Sequence, residues 1–145
     1  MSTQTITSAN AVFTLTVPGI FPAPIQLQGF AAEKAWSTDP QIQTESRMGV
    51  DGQKASGWIP NMIKQAISLL PNSASRSIFN AIARAQKANR DAVVLQGTIV
   101  LPSTGESFSL INGTLLDYKP IPDGMKVLQD IEFSIEWQDI QPSLL

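Results

Sequence analysis

The chain contains no cysteine and no histidine, and those two absences exclude more chemistry than any residue present affirms. Without cysteine there is no disulfide, no thiolate nucleophile and no thiolate metal site. Without histidine the commonest general base near neutral pH is gone, and with it the commonest metal ligand. Charge is also scarce: Asp, Glu, Lys and Arg make up 15% of the 145 residues, against about a quarter in a typical globular chain. The net charge of −2 and a pI near 5.0 leave no basic footprint for gripping nucleic acid. A protein with this balance that touched DNA would let it pass rather than hold it. No apolar run approaches the roughly 20 residues of a bilayer-spanning helix. The opening residues, Met1 to Asn10, lack the basic region and apolar run of a signal peptide. The expectation is a protein made and used in a cytoplasm, not an enzyme, with no catalytic, cofactor-binding or metal-binding residues.

What the chain does have is turn formers and alternation. Ten prolines and nine glycines suit a β-rich body of one domain, residues 1–145, with a loose lead over 1–9. Residues 11–17 alternate, Phe13, Leu15 and Val17 against Thr14 and Thr16, which predicts a strand. Pro18-Gly19 ends it, Pro22 and Pro24 carry an extended turn, and Ile25 to Glu33 alternates again. A long hairpin follows, with arms near 40–48 and 53–58, and it is polar on both faces. Its tip is Gly49-Val50-Asp51-Gly52, and Asp-Gly between strands is a hairpin signal because glycine accepts positive φ. A ribbon with little apolar surface has a weakly specified register in its own domain, so its second surface is expected from another molecule.

Met62 to Leu70 predicts a further strand. Ile78, Phe79, Ile82, Ala83 and Ala85 then fall at helical spacing over 73–89, after a stop and a capping oxygen in Pro71-Asn72-Ser73. Ala92 to Leu101 and Ser107 to Tyr118 form a strand pair around Ser103-Thr104-Gly105-Glu106, and a proline-stiffened loop covers 119–124. The last strand is the cleanest: Ile131, Phe133, Ile135 and Trp137 face in, while Asp130, Glu132, Ser134, Glu136 and Gln138 face out. The fold class is therefore mainly β (α+β): two packed antiparallel sheets in a β-sandwich or partly open barrel, with one flanking helix at about 73–89.

Four constellations could carry chemistry, and each has a plainer reading. The Gly49 to Gly52 tip has neither the length and Lys-Ser/Thr of a P-loop nor the ligand series of a calcium loop. Glu132 and Glu136 are separated by about 13 Å of strand, beyond the roughly 5–9.5 Å of paired-carboxylate glycosidases; Asp130 and Glu132, about 7 Å apart, are within it but suggest no cleft. Trp36, Trp58 and Trp137 could stack on a sugar, but they are scattered over three segments and suit core or subunit interface better. Arg84, Lys87 and Arg90 complement the dipole at the helix end.

The order of these elements resembles the tail tube proteins of tailed bacteriophages, relatives of type VI secretion and bacteriocin tail tubes. The resemblance is carried by Ile25-Gln-Leu-Gln-Gly-Phe-Ala31, the polar hairpin around Gly49-Val-Asp-Gly52 and the helix after Pro71-Asn-Ser73. Gly97-Thr-Ile-Val-Leu-Pro-Ser-Thr-Gly-Glu106 and Asp130-Ile-Glu-Phe-Ser-Ile-Glu-Trp137 complete it. It implies a structural virion protein whose homohexameric rings stack into the tube, with a continuous β-barrel around a lumen serving DNA ejection. The hairpin, with Glu45, Arg47, Gly49, Val50, Asp51, Gly52 and Lys54, would reach neighbouring subunits or the next ring. Glu132, Ser134, Glu136 and Gln138 are the candidate lumen face, and Gln41, Gln43 and Glu45 the alternative. Implied partners are further copies of the chain, a sheath or other tail proteins, the baseplate, and genomic DNA passing without specific binding; the subunit is not expected to bind a membrane. The implied place is the virion tail, after synthesis in the host cytoplasm. Another ring-forming component (a terminator, tube initiator or baseplate protein) and a carbohydrate-binding β-sandwich are the alternatives.

Overall fold

The computed structural model describes residues 11–28, 30 and 35–144, the side chain of Pro22 excepted. Among them nine strands and one helix follow in the order β1 (Val12–Val17), β2 (Phe21–Gln26), β3 (Trp36–Thr38), β4 (Thr44–Met48), β5 (Lys54–Trp58), β6 (Ile63–Leu69), α1 (Arg76–Asn89), β7 (Leu95–Leu101), β8 (Glu106–Asp117) and β9 (Ile131–Leu144). The chain is mainly β with a single flanking helix, as its alternation requires. Its two antiparallel sheets are unequal. Seven strands run β2-β1-β7-β8-β9-β6-β3, and β4 and β5 form a two-stranded ribbon.

The seven-stranded sheet curls into a partly open barrel. β1 and β3 lie far apart in strand order, yet the Phe13 ring on β1 meets Trp36 on β3 edge-on, with centroids 6.1 Å apart. The chain after β2 spans the seam: Leu27 N–H donates to the Phe13 carbonyl at 2.7 Å, and Phe30 forms a single antiparallel bridge to Leu69 of β6. The concave side collects alternate residues of each strand, among them Phe13, Leu15, Ile67, Leu69, Phe133 and Ile135, all at most 1% exposed. α1 packs where β6 ends and β9 begins, because Ile78, Phe79 and Ile82 form its apolar stripe. Phe79 stacks on Phe133 with centroids 4.7 Å apart.

Several expectations need correction. Pro22 and Pro24 belong to β2 rather than to a turn; β2 is a sheet edge, a setting where proline's missing N–H costs no ladder bond. The turn is at Pro18–Ile20, with Gly19 at φ +91°. Of the strand expected over 25–33, Ile25 and Gln26 close β2 and Leu27 and Gln28 are not in a strand. Residues 29 and 31–33, like the lead over 1–9, lie outside the described residues. The helix begins at Arg76 with Ser75 as N-cap and no side-chain cap bond. Ser75 Oγ accepts instead from Gln28 N–H at 2.7 Å, while Ser73 Oγ donates to the Gln28 carbonyl at 2.5 Å and accepts from Ser75 N–H at 3.2 Å just ahead of the helix.

The two long strands change phase together. Along β8 the buried side passes from Leu110 to Gly113, and along β9 from Trp137 to half-buried Ile140. Opposite β7 the register slips by one residue between Leu95 and Gly97. Asn112 absorbs the extra residue at φ +49°, and its Nδ2 donates to Gln138 Oε1 at 2.8 Å. Asparagine tolerates this left-handed region better than most residues. Asn112→Ala is therefore expected to cost about 1–2 kcal/mol from strain and the lost bond, and Asn112→Gly less. Urea unfolding of the two variants checks the order; an alanine variant as stable as the glycine one would contradict the bulge.

Candidate assembly surfaces

The hairpin is a projection of the body rather than part of it. β3 and β6 pair through Trp36↔Ile67 and Thr38↔Gln65, and the same two chain directions continue outward through residues 39–43 and 59–62. Asp39 N–H bonds the Lys64 carbonyl at 3.0 Å, Ile59 N–H the Gln43 carbonyl at 2.9 Å, and Asn61 Nδ2 the Ile42 carbonyl at 2.6 Å. Beyond that neck β4 and β5 pair from Thr44↔Trp58 to Met48↔Lys54. Every residue from Thr38 to Trp58 is exposed.

Local chemistry holds the ribbon. Ser46 and Ser56 share a hydroxyl hydrogen bond at 2.9 Å, and Glu45 and Arg47 lie 4.0 Å apart at an exposed site, where such a pair contributes little. At the tip Gly49 N–H bonds the Gln53 carbonyl at 2.7 Å, and Gly52 N–H the Gly49 carbonyl at 3.0 Å. Asp51 Oδ1 accepts from Gln53 N–H at 3.0 Å, and Gly52 takes φ +82°. Glu45, Arg47, Gly49, Val50, Asp51, Gly52 and Lys54 are thus all brought together on the ribbon, and Asp51 is engaged in shaping the turn. Large apolar side chains accompany them: Ile42, Met48, Val50, Trp58 and Met62 are each at least two-thirds exposed.

The other candidate face lies on the convex side of β6, β9 and β8. Lys64 lies opposite Glu136 in the β6–β9 register. It reaches over β9 to Asp117 on β8, with Nζ and Oδ2 4.0 Å apart. Glu132 and Gln138 are exposed and Glu136 half-exposed. Ser134 departs from the expectation: it is only 5% exposed, a small side chain flanked by its register partners Ala66 and Asp117. Of the four, three present polar groups to solvent. Gln41, Gln43 and Glu45 are exposed on the neck and ribbon, away from this face. Sequence reasoning missed Lys64 and Asp117, which share a surface only through strand pairing. Asp130, Arg84, Lys87 and Arg90 are exposed. The three tryptophans do not form one platform: Trp137 is fully buried, Trp58 is 73% exposed and Trp36 is half-buried against the core. Among the described residues no group of three acidic side chains could hold a metal ion, and no helix is long and apolar enough to cross a membrane.

The edges of the large sheet are blunted. β2 carries Pro22 and Pro24, and β3 is three residues long. β9 outlasts β6, whose pairing stops at Ile63↔Trp137. Past that point lie Pro142 and an Ile140 N–H bonded to Asp139 Oδ1 at 2.9 Å. Prolines, short edges and locally satisfied donors discourage strand addition. The ribbon has no such protection: residues 44–58 contain no proline and both of its outer edges are unpaired among the described residues.

The described body is thus mainly β, with an exposed ribbon and a polar convex face. A sequence profile of the family described as tail fiber protein gp32 matches residues 4–141, and the chain belongs to that family. Two solved structures share the fold. A chain of the anti-feeding prophage baseplate has a TM-score of 0.60 at 12% identity, over 99% of this chain and 97% of that one. A chain of the anti-feeding prophage tube-terminating cap has a TM-score of 0.58 at 11% identity, over 92% and 88%. A comparison with curated proteins finds no match. The protein is a phage-tail-like structural component, associated through its family with the virion tail; the family matched is described as that of a tail fiber protein and does not by itself identify a tail tube protein.

Proposed function

We propose that the chain is a ring-forming tail protein whose hairpin, residues 44–58, is the arm that joins one copy to the next. The observation that carries this reading is the ribbon's complete exposure despite its free edges and its apolar Met48, Val50 and Trp58. An isolated two-stranded ribbon is marginal in water, so a second surface is needed to hold it, and a neighbouring subunit offers one. The convex face of β6, β9 and β8 then turns towards the lumen of a homohexameric ring. Its mixed and sparse charge suits a conduit through which a phosphate backbone slides during DNA ejection.

A second reading is a ring that ends or starts a tube rather than building it. The fold shared with chains of a baseplate and of a tube-terminating cap favours it. In that reading the contacts to sheath, baseplate or other tail proteins replace those to a further identical ring. Negative-stain microscopy of concentrated purified protein separates the two. Extended tubes are the result for a tube protein, and single rings that never stack are the result for a terminator, initiator or baseplate ring. Particles that stay monomeric under every assembly condition would sink both.

A further inference from the structure

The loop between β8 and β9 shows water an apolar surface that neither the core nor the ribbon accounts for. Ile121, Met125 and Val127 are each at least 70% exposed, and Leu128 is 53% exposed. Large apolar side chains clustered on a surface mark a contact site. The loop is a shaped support. Pro120 and Pro122 fix φ at two positions, Lys119 Nζ meets Asp123 Oδ2 at 2.8 Å, and Gln129 N–H bonds the Asp123 carbonyl at 3.2 Å. At its root the Tyr118 ring stacks on Phe133, with centroids 5.8 Å apart, and the Tyr118 hydroxyl donates to Asn80 Oδ1 on α1. A surface ordered in advance loses less entropy when a partner settles on it.

Position and chemistry together name the occupant. β6 pairs with β9 from Ile63↔Trp137 to Leu69↔Ile131. The ribbon leaves through the neck at the Ile63 end, and the loop enters β9 at the Ile131 end, about 20 Å of strand away. The ribbon's two faces differ. Thr44↔Trp58, Ser46↔Ser56 and Met48↔Lys54 share one side, while Glu45↔Gly57 and Arg47↔Ala55 take the other. Met48 and Trp58 therefore lie on a single face, with Val50 at the tip. One chain thus carries two exposed apolar surfaces at opposite ends of its sheet, and it cannot bring them together itself. Charge is complementary as well: residues 76–91 and 118–130 hold six basic and three acidic side chains, and residues 39–58 hold three acidic and two basic. We propose, on the reading of the ribbon as the joining arm, that the loop is the seat for the arm of a second copy. Met48, Val50 and Trp58 of one copy then lie against Ile121, Met125, Val127 and Leu128 of the next. A contact between two different surfaces is head-to-tail, so it closes a ring or runs on as a filament.

The chain has no native cysteine, so an engineered disulfide can report the contact. Val50→Cys with Val127→Cys, oxidised at a concentration where the protein assembles, should give a ladder of crosslinked multimers on a denaturing gel. Val50→Cys with Thr104→Cys, on the exposed β7–β8 turn, should give none. A crosslinked dimer of Val50→Cys alone would mean that arm pairs with arm, and would overturn the proposal. Assembly without a ladder from the first pair would remove the seat and leave the arm in place. A second variant needs no cysteine. Met125→Asp with Val127→Asp changes only exposed side chains, so its melting curve should match that of the unaltered chain while assembly is lost. Assembly that survives this change but not deletion of residues 45–56 would overturn the seat alone; assembly that survives both would refute the arm as well.

Discussion

Deleting residues 45–56 should leave the body folded and abolish higher-order assembly. The removed residues are all exposed, and they take no part in the cluster of buried side chains built on β1, β6, β7, β8, β9 and α1. Their loss removes no core packing, and shortening a loop eases its closure by less than about 1 kcal/mol. Circular dichroism should therefore give a melting curve close to that of the full chain. Light scattering and negative-stain images of the same sample should show subunits alone, because the only unprotected strand edges among the described residues have gone. Rings or tubes that form as before would refute the assignment of the arm. A body that unfolds would instead show that the ribbon stabilises the fold, against its exposure.

Gly113→Ala should be among the most damaging single methyl additions to the chain. The Trp137 ring lies directly on this glycine. A Cβ built there would sit 2.4 Å from Trp137 Cε3 and 2.5 Å from Cζ3, closer than non-bonded carbon atoms approach. The ring has no room to yield, since Trp137 is fully buried and its indole N–H is held by Gln65. Overpacking of this kind costs about 3 kcal/mol or more, the upper end of its usual range. For a chain of this size that is a fall in melting temperature of roughly 10–15 °C. Gly124→Ala is the control, because nothing lies within 4 Å of the added methyl and no change beyond about 0.5 kcal/mol is expected. A Gly113→Ala melt within 2–3 °C of the unaltered chain, against that roughly 10–15 °C, would mean that the indole does not occupy this place.

Much of the architecture was legible because apolar alternation is a local signal. Phe13, Leu15 and Val17 on β1, and Ile131, Phe133, Ile135 and Trp137 on β9, are buried as their spacing requires. Ile78, Phe79 and Ile82 face the sheet as a helical stripe should. The ribbon's isolation was legible for the opposite reason: a segment without an apolar face cannot be drawn into the core. Two errors share one cause. Prolines in β2 read as a turn because edge position, which excuses them, is a property of the whole sheet. The alternation of β9 carried Ser134 to the surface, but it is buried between the strands that carry its register partners Ala66 and Asp117.

By itself, then, the sequence determined the element types, the buried stripes, the single helix and the polar arm, since each depends on residue periods of two or 3.6 within one segment. It also removed thiol and imidazole chemistry outright, because those groups are absent from the chain. Tertiary structure alone decided the strand order and the curl that brings Phe13 to Trp36. It also decided the placing of Lys64 and Asp117 across β9 and the buried bond from Trp137 to Gln65. Those features join residues dozens of positions apart, and pairing between strands, unlike alternation along one, leaves no period in the sequence to be read.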